Sequence, residues 1–285
     1  MFTVCLECKC LVHSIHSDAK SPQSFNKGSL MIAKFHRLLR VMLLVACAVS
    51  VPATAQDLNS TESAGNTILN KHNKLSVKEK QQGWQLLFDG KSLNGWHVFQ
   101  FPEATPAWHV QAGMLTINLG ASGVQHGDLA TNAVYENFEL SFEWQTPDNG
   151  NSGLFINVQE VPEYPASWQT GPEYQLLGPA HADNADPIKR SGEIFGFASA
   201  QEEPEVLASP HWNHSVIRQV DGKVEFYLNN KLTTQVDFNS QPWLHRVSKS
   251  RFKDQPHFAT STKGHIVLQE WTSLIFFRNM KIKQL

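Results

Sequence analysis

Glu173 and Gln175 stand two residues apart in TGPEYQLL, residues 170–177, a short run that follows a Gly-Pro turn. Successive side chains of an extended chain point to opposite faces, so Glu173, Gln175 and Leu177 share one face while Tyr174 and Leu176 share the other. A carboxylate beside an amide combines a proton acceptor with a group that both donates and accepts hydrogen bonds, which suits the floor of a binding site. The plain alternative is a pair of polar side chains facing solvent.

Short apolar runs with turn residues between them must position that pair. From Gly83 onward, residues 84–88, 96–99, 108–110 and 114–119 read as strands punctuated by Asp89-Gly90, Asn94-Gly95 and Ala112-Gly113. FELSFEWQ, residues 138–145, has the clearest period of two, with Phe138, Leu140, Phe142 and Trp144 toward a core and Glu139, Ser141, Glu143 and Gln145 away from it. Further strands are expected at 153–158, in a meander at 215–220, 223–228 and 231–236 with turns at Asp221-Gly222 and Asn229-Asn230, and at 265–269 and 275–282. Helix is expected only near Ser76, where Ser76 and Glu79 have capping-box spacing, and within 242–252, with Trp243 and Val247 on one face. The pattern is that of an all-β sandwich with long loops at 159–172, 178–192 and 199–212. Loops of that length in a compact domain more often serve function than not.

The amino terminus reads as targeting sequence. From Met31, the basic residues Lys34, Arg37 and Arg40 precede an apolar run at 41–51 and then Ala53-Thr54-Ala55, the order of a secretory signal, so cleavage is expected after Ala55. The protein is then periplasmic or secreted. The other reading of the same region is a lipoprotein box, Leu44-Val45-Ala46-Cys47, with a lipid anchor on Cys47. The apolar run is too short to span a bilayer. The expected organisation is thus an extension and signal at 1–55, a flexible lead-in with a short helix at 56–82 and one β domain at 83–285. All four cysteines, at 5, 8, 10 and 47, precede the cleavage point, so the mature domain has no thiol, and CLECKC lacks the second ligand pair a zinc site needs. The whole chain has 24 basic and 26 acidic residues; removing 1–55, with six basic and two acidic, leaves 18 against 24, a net charge of −6. That balance argues against a nucleic-acid partner, which would require a basic surface. Nothing in the sequence fixes an oligomeric state.

FDGKSLNGW at 88–96, DLATNAVYENFELSFEW at 128–144, NSGLF at 151–155, TGPEYQLL, HWNHSVI at 211–217, and GHIVLQ with FFRNMKIK within 264–283 together resemble the 3-keto-disaccharide hydrolase family over essentially all of residues 83–285. The resemblance implies a concanavalin A-like jelly-roll sandwich of two curved antiparallel sheets with few short helices, in an exported enzyme that acts on sugars whose C3 hydroxyl has become a ketone. Two positions depart from the family pattern. Gly178 stands where members carry aspartate, and Trp271 stands where they carry histidine.

A C3 ketone acidifies the C2 proton, because the carbanion formed there is stabilised as an enolate. A base can take that proton, donors can hold the enolate oxygen, the group on C1 can leave, and water can then add across the double bond. Glu173 or His181 is the expected base. Arg190, Gln175, Asn151 and Gln269 are candidates for oxyanion or hydroxyl contacts, with Glu143 added if its face of the sheet is the concave one. Trp84, Trp108 and Trp144 fit core positions, whereas Trp168 and Trp271, in or beside the loops, are placed to stack on carbohydrate. A divalent metal could be held by His181 with Asp183 or Glu173, although the spacing specifies no cofactor. The alternative to the enzyme is a lectin-like module that binds carbohydrate without turnover.

Overall fold

The computed structural model describes residues 71–285 apart from 200, 202 and 204. The export signal, the Cys47 box, the CLECKC run and most of the lead-in lie outside these residues. In chain order the elements are α1 (Val77–Gln81), β1 (Trp84–Leu86), β2 (Trp96–Val98), β3 (Trp108–Gln111), β4 (Met114–Ile117), β5 (Leu129–Thr131), β6 (Phe138–Gln145) and β7 (Asn151–Val158). They continue with β8 (Glu173–Leu177), β9 (Asn213–Val220), β10 (Lys223–Leu228), β11 (Lys231–Asp237), α2 (Gln241–Lys249), β12 (His265–Leu268) and β13 (Phe276–Gln284).

The strands form two antiparallel sheets. One has eight strands in the order β11-β10-β9-β6-β13-β4-β3 with β1 added on β13, and the other has five in the order β2-β5-β12-β7-β8. Together they make the expected jelly-roll sandwich. Alternation drives the packing, since Phe138, Leu140, Phe142 and Trp144 of β6 are all buried against Tyr174 and Leu176 of β8 and Leu154 and Ile156 of β7. The ring of Phe142 meets that of Tyr174 edge-on at 5.9 Å, and Tyr174 in turn lies 4.9 Å from Phe226. Each such side chain contributes about 1.5–3 kcal/mol by leaving water. Truncating Phe142 to alanine would cost about 3–5 kcal/mol, because the cavity could not collapse between two sheets.

The Tyr174 hydroxyl is satisfied inside the core by Ser215 Oγ at 2.8 Å and the Tyr227 carbonyl at 3.0 Å. With Tyr174 and Leu176 pointing inward, Glu173 and Gln175 necessarily occupy the outer face of the five-stranded sheet. A second apolar cluster of Phe99, Ala130, Phe155, Val158 and Val267 shares that outer face, as Phe155 is the cross-strand partner of Glu173.

Three sequence expectations are corrected here. β5 is a strand that alternation did not reveal, because all three of its residues are buried. The lead-in is not loose up to Asn73. Asn73 is buried, exchanges hydrogen bonds of 2.7 and 2.8 Å with Asn279, and donates to the Gly113 carbonyl at 2.8 Å. Trp84 is half-buried rather than in the core, with the ammonium groups of Lys281 and Lys283 over its ring at 5.4 and 5.0 Å. The capping box at α1 is present, with the Ser76 side chain and Glu79 satisfying each other's backbone N–H. Among the described residues no helix is long and apolar enough to cross a membrane.

Candidate active site

β8 is the last strand of its sheet, so its outer edge would be exposed without a cover. Residues 192–195 provide one: Gly192 N–H donates to the Gln175 carbonyl at 2.8 Å, Gln175 N–H to the Glu193 carbonyl at 3.0 Å, and Phe195 N–H to the Glu173 carbonyl at 3.0 Å. This cover brings Phe195 to the rim of a cleft of about 430 Å³ whose floor holds Glu173, Gln175, Asn151 and Gln269. His181, Asp183, Trp168 and Trp271 line its sides together with Arg251 and Phe252.

Glu173 lies in a slot cut for it. The neighbouring strand carries Gly153 at the crossing point, and a Cβ there would sit 2.2 Å from Glu173 Oε1 and 2.8 Å from its Cγ and Cδ. Gly153 also accepts from Gln269 N–H at 2.9 Å, while Ser152 Oγ donates to the Gln269 carbonyl at 2.9 Å, so the end of β12 is fixed beside the carboxyl group. Gln175 Nε2 donates to Asn151 Oδ1 at 3.2 Å, which orients both amides on the floor.

The electrostatics of this floor are unusual. Glu173 is only 7% exposed, and burial, followed by the nearby charge of Asp128, raises its pKa from 4.5 to about 8, against the opposing pull of a hydrogen bond from Gln269 and the charge of Arg251. Asp128 itself is pushed up to about 6, first by burial and then by Glu270, although it accepts from Ser167 Oγ and from Glu270 N–H. At neutral pH the acid on the floor therefore carries its proton most of the time, yet it becomes a strong base when it ionises.

His181 caps a 3₁₀ turn at Ala182–Ala185, its Nδ1 accepting from Asp183 N–H at 3.2 Å. In the neutral ring the proton must then be on Nε2, which leaves that nitrogen a hydrogen-bond donor. Arg251 is placed by an aromatic anchor that follows α2: Phe252 stacks on Phe258 with ring centres 3.9 Å apart and on Phe197 at 5.8 Å. The guanidinium of Arg251 rests over Phe195 and Phe252 at 4.9 and 5.7 Å.

Among the sequence candidates, the cleft therefore gathers Glu173, Gln175, His181, Asn151, Gln269, Trp168 and Trp271. Two others lie elsewhere. Arg190 faces a separate indentation with Pro179 and Asn184, where it approaches Glu203 at 3.6 Å and donates to the Asn184 carbonyl, so it ties its own loop. Glu143 is on the outer face of the other sheet, bound to Arg278 Nε at 2.6 Å and Asn279 Nδ2 at 2.8 Å. For metal binding, no grouping of three His, Cys, Asp or Glu side chains among the described residues is arranged to hold an ion, and Asp183 accepts instead from Lys189 Nζ at 3.1 Å.

Three contributors escaped the sequence reading. Arg251 lies just beyond a helical stretch with nothing local to mark it, and Asp128 is a lone acid before a strand without alternation. Gly153 did carry a signal, since a glycine inside a strand often marks a close approach. The departure at Gly178 has a packing reason, because a Cβ there would fall 2.2 Å from the Pro147 carbonyl oxygen and 2.4 Å from that of Asp148.

A 3-keto-disaccharide hydrolase of Bacteroides thetaiotaomicron is 25% identical over 239 residues, spanning 74% of this chain and 81% of that protein. The crystal structure of a candidate glycosyl hydrolase from Parabacteroides distasonis superposes with a TM-score of 0.68 at 30% identity, covering 75% of this chain and 100% of that one. A second such protein from the same organism gives 0.54 at 26% identity, covering 71% and 99%. The family model described as the 3-keto-alpha-glucoside-1,2-lyase-like domain matches residues 83–283, and the chain belongs to that family.

Proposed function

We propose that this protein cleaves glycosidic bonds of sugars that carry a ketone at C3, and that Glu173 is the base that removes the C2 proton. The observation that carries this reading is the state of Glu173: a buried carboxyl at the floor of a cleft, held in a glycine slot, with a pKa of about 8. At neutral pH roughly a tenth of such a group is ionised, and that fraction is a far stronger base than an ordinary carboxylate.

When Glu173 takes the proton from C2, the electron pair of the C–H bond passes into an enolate whose oxygen bears the negative charge. His181 Nε2–H and the Arg251 guanidinium are the donors available to that oxygen in a site partly shielded from water. The enolate then re-forms its ketone as the C1–oxygen bond breaks, and the departing oxygen is protonated by the acid that Glu173 has become or by solvent. Addition of water across the resulting double bond completes a net hydrolysis. Gln175, Asn151 and Gln269 serve as hydroxyl contacts.

The disposition of Asp128 favours this route over ordinary glycosidase chemistry. That chemistry needs a second carboxylate free to act as nucleophile or base. Both oxygens of Asp128 are already engaged, one by Ser167 and one by Glu270 N–H. Export belongs to the same proposal and rests on the amino-terminal pattern of charge, apolar run and small residues.

The test is to incubate the mature protein with a 3-keto-disaccharide in D₂O and follow both free sugar and deuterium entry at C2. Sugar release with exchange supports the reading. Measurable sugar binding without release overturns it in favour of a lectin-like binder.

A further inference from the structure

Trp168 and Trp271 are 44% and 54% exposed, the most open aromatic surfaces of the cleft. An exposed indole on a loose loop would make a poor binding surface, since ordering it on contact costs entropy. These two are not loose. Trp168 sits in the middle of the Ser167–Gln169 turn, and the preceding Ser167, fully buried, donates its hydroxyl to Asp128 Oδ2. The same turn is closed by Gly171 N–H on the Ser167 carbonyl at 2.9 Å and by Gln169 Oε1 on Ala166 N–H at 2.9 Å.

Trp271 follows Glu270, whose N–H donates to the other oxygen of Asp128, Oδ1, at 2.9 Å. The Glu270 carboxylate is itself fixed by His126 Nδ1 and by Gly127 N–H, both at 2.5 Å. One side chain thus bridges two loops that are far apart in sequence, and on each loop the residue next to the anchor is an exposed tryptophan on the cleft. The polar floor and this aromatic rim are chemically distinct halves of one site. A sugar ring that hydrogen-bonds to the floor leaves the group on C1 to meet the rim.

We infer that Trp168 and Trp271 form a preformed stacking rim for a ring-shaped leaving group, a second sugar or an aryl ring, and that Asp128 is the positioning residue that sets it. This rests on the reading of the floor as the reacting site. An aryl ring, or the C–H face of a pyranose, presents an apolar surface that an indole matches, whereas a methyl aglycone has none. The rim thus selects substrates by what leaves rather than by what is oxidised.

Steady-state kinetics with a 3-keto-disaccharide, phenyl 3-keto-glucoside and methyl 3-keto-glucoside provide the test. Trp168→Ala and Trp271→Ala are expected to raise KM for the two ring-bearing substrates roughly three- to tenfold relative to the methyl glycoside, with smaller changes in kcat. The disaccharide and phenyl arms show which ring the rim prefers. Asp128→Ala should reproduce the combined KM effect, and Asp128→Asn, which keeps an acceptor for Glu270 N–H, should restore part of it. Equal changes on all three substrates would overturn the inference.

Tryptophan fluorescence quenching by an unoxidised disaccharide, compared with methyl glucoside, reads the rim without any turnover. If wild type releases no sugar yet the disaccharide quenches more strongly and Trp271→Ala removes the difference, the proposed reaction fails while the rim stands. If the two ligands quench alike, the rim fails.

Discussion

Glu173 and Glu143 are the same residue type on outward-facing strand positions, one on each sheet, yet they are chemically opposite. Glu143 has Arg278 at 2.6 Å and Asn279 at 2.8 Å, and despite the burial that opposes it, those hydrogen bonds hold its carboxyl below the usual range. Arg278 is itself stacked 3.9 Å over Trp212, so the whole group is closed on itself. Glu173 is buried under loops beside a second acid, and among the described residues it has no such cation in hydrogen-bond contact, so its pKa rises to about 8. What separates the ion-paired carboxylate from the buried, protonated one is therefore the cover over the strand rather than the strand itself. The outer face of the eight-stranded sheet does carry an indentation of about 320 Å³, beside Glu139, His214 and Arg218, but the loops at 159–172 and 178–192 that line the candidate cleft lie over the other sheet.

That contrast can be broken from either side. Glu173→Gln should lower turnover by about 10³-fold or more, within the range attributed to a positioned base, as read by sugar release. It should also change the stability profile. Because the folded pKa of Glu173, about 8, lies above its ordinary 4.5, the folded state binds the extra proton between those values. Stability from this group is fully present below 4.5 and is lost as pH rises through about 8, with a slope of at most about 1.4 kcal/mol per pH unit. Chemical denaturation at several pH values should show that slope in wild type and a flatter one in Glu173→Gln.

Gly153→Ala should reduce turnover by about 10²-fold, because the new methyl group displaces the carboxyl from its slot and small misplacements are costly. The near-normal circular dichroism of that variant would show that the sandwich survives. Arg251→Gln should cost about 10²-fold and move the rising limb of the pH–rate profile upward, since Arg251 lowers the pKa of Glu173. Asp128→Asn removes a charge that raises it and should move the limb downward. Glu143→Gln, at the other extreme, should leave turnover within about twofold while costing about 1.5–3 kcal/mol of stability, because it breaks a charge-assisted pair that is largely shielded from water.

The sandwich was legible wherever alternation was strong. The limits expected for FELSFEWQ coincide with β6, and the meander turns at Asp221-Gly222 and Asn229-Asn230 join β9, β10 and β11 as expected. β5 was not legible, because a strand buried on both faces has no period to detect. The side of β8 that Glu173 would take followed from the pleat alone. Its protonation did not, since that depends on Asp128, Gln269 and Arg251, which come from 45, 96 and 78 positions away in the chain. The same distance explains the misplacement of Glu143 and Arg190: alternation and loop position assign a face or a rim, but partners such as Arg278 and Glu203 are tertiary facts.

The most direct test of the account is the pH dependence of kcat/KM on a 3-keto-disaccharide, with Glu173→Gln as the control. Glu173 acting as a base predicts a rate that climbs with pH and levels off above about 8, with the limb absent in the variant. A rate that declines through that pH, as for a group that must keep its proton, or a Glu173→Gln enzyme as active as wild type, would contradict it.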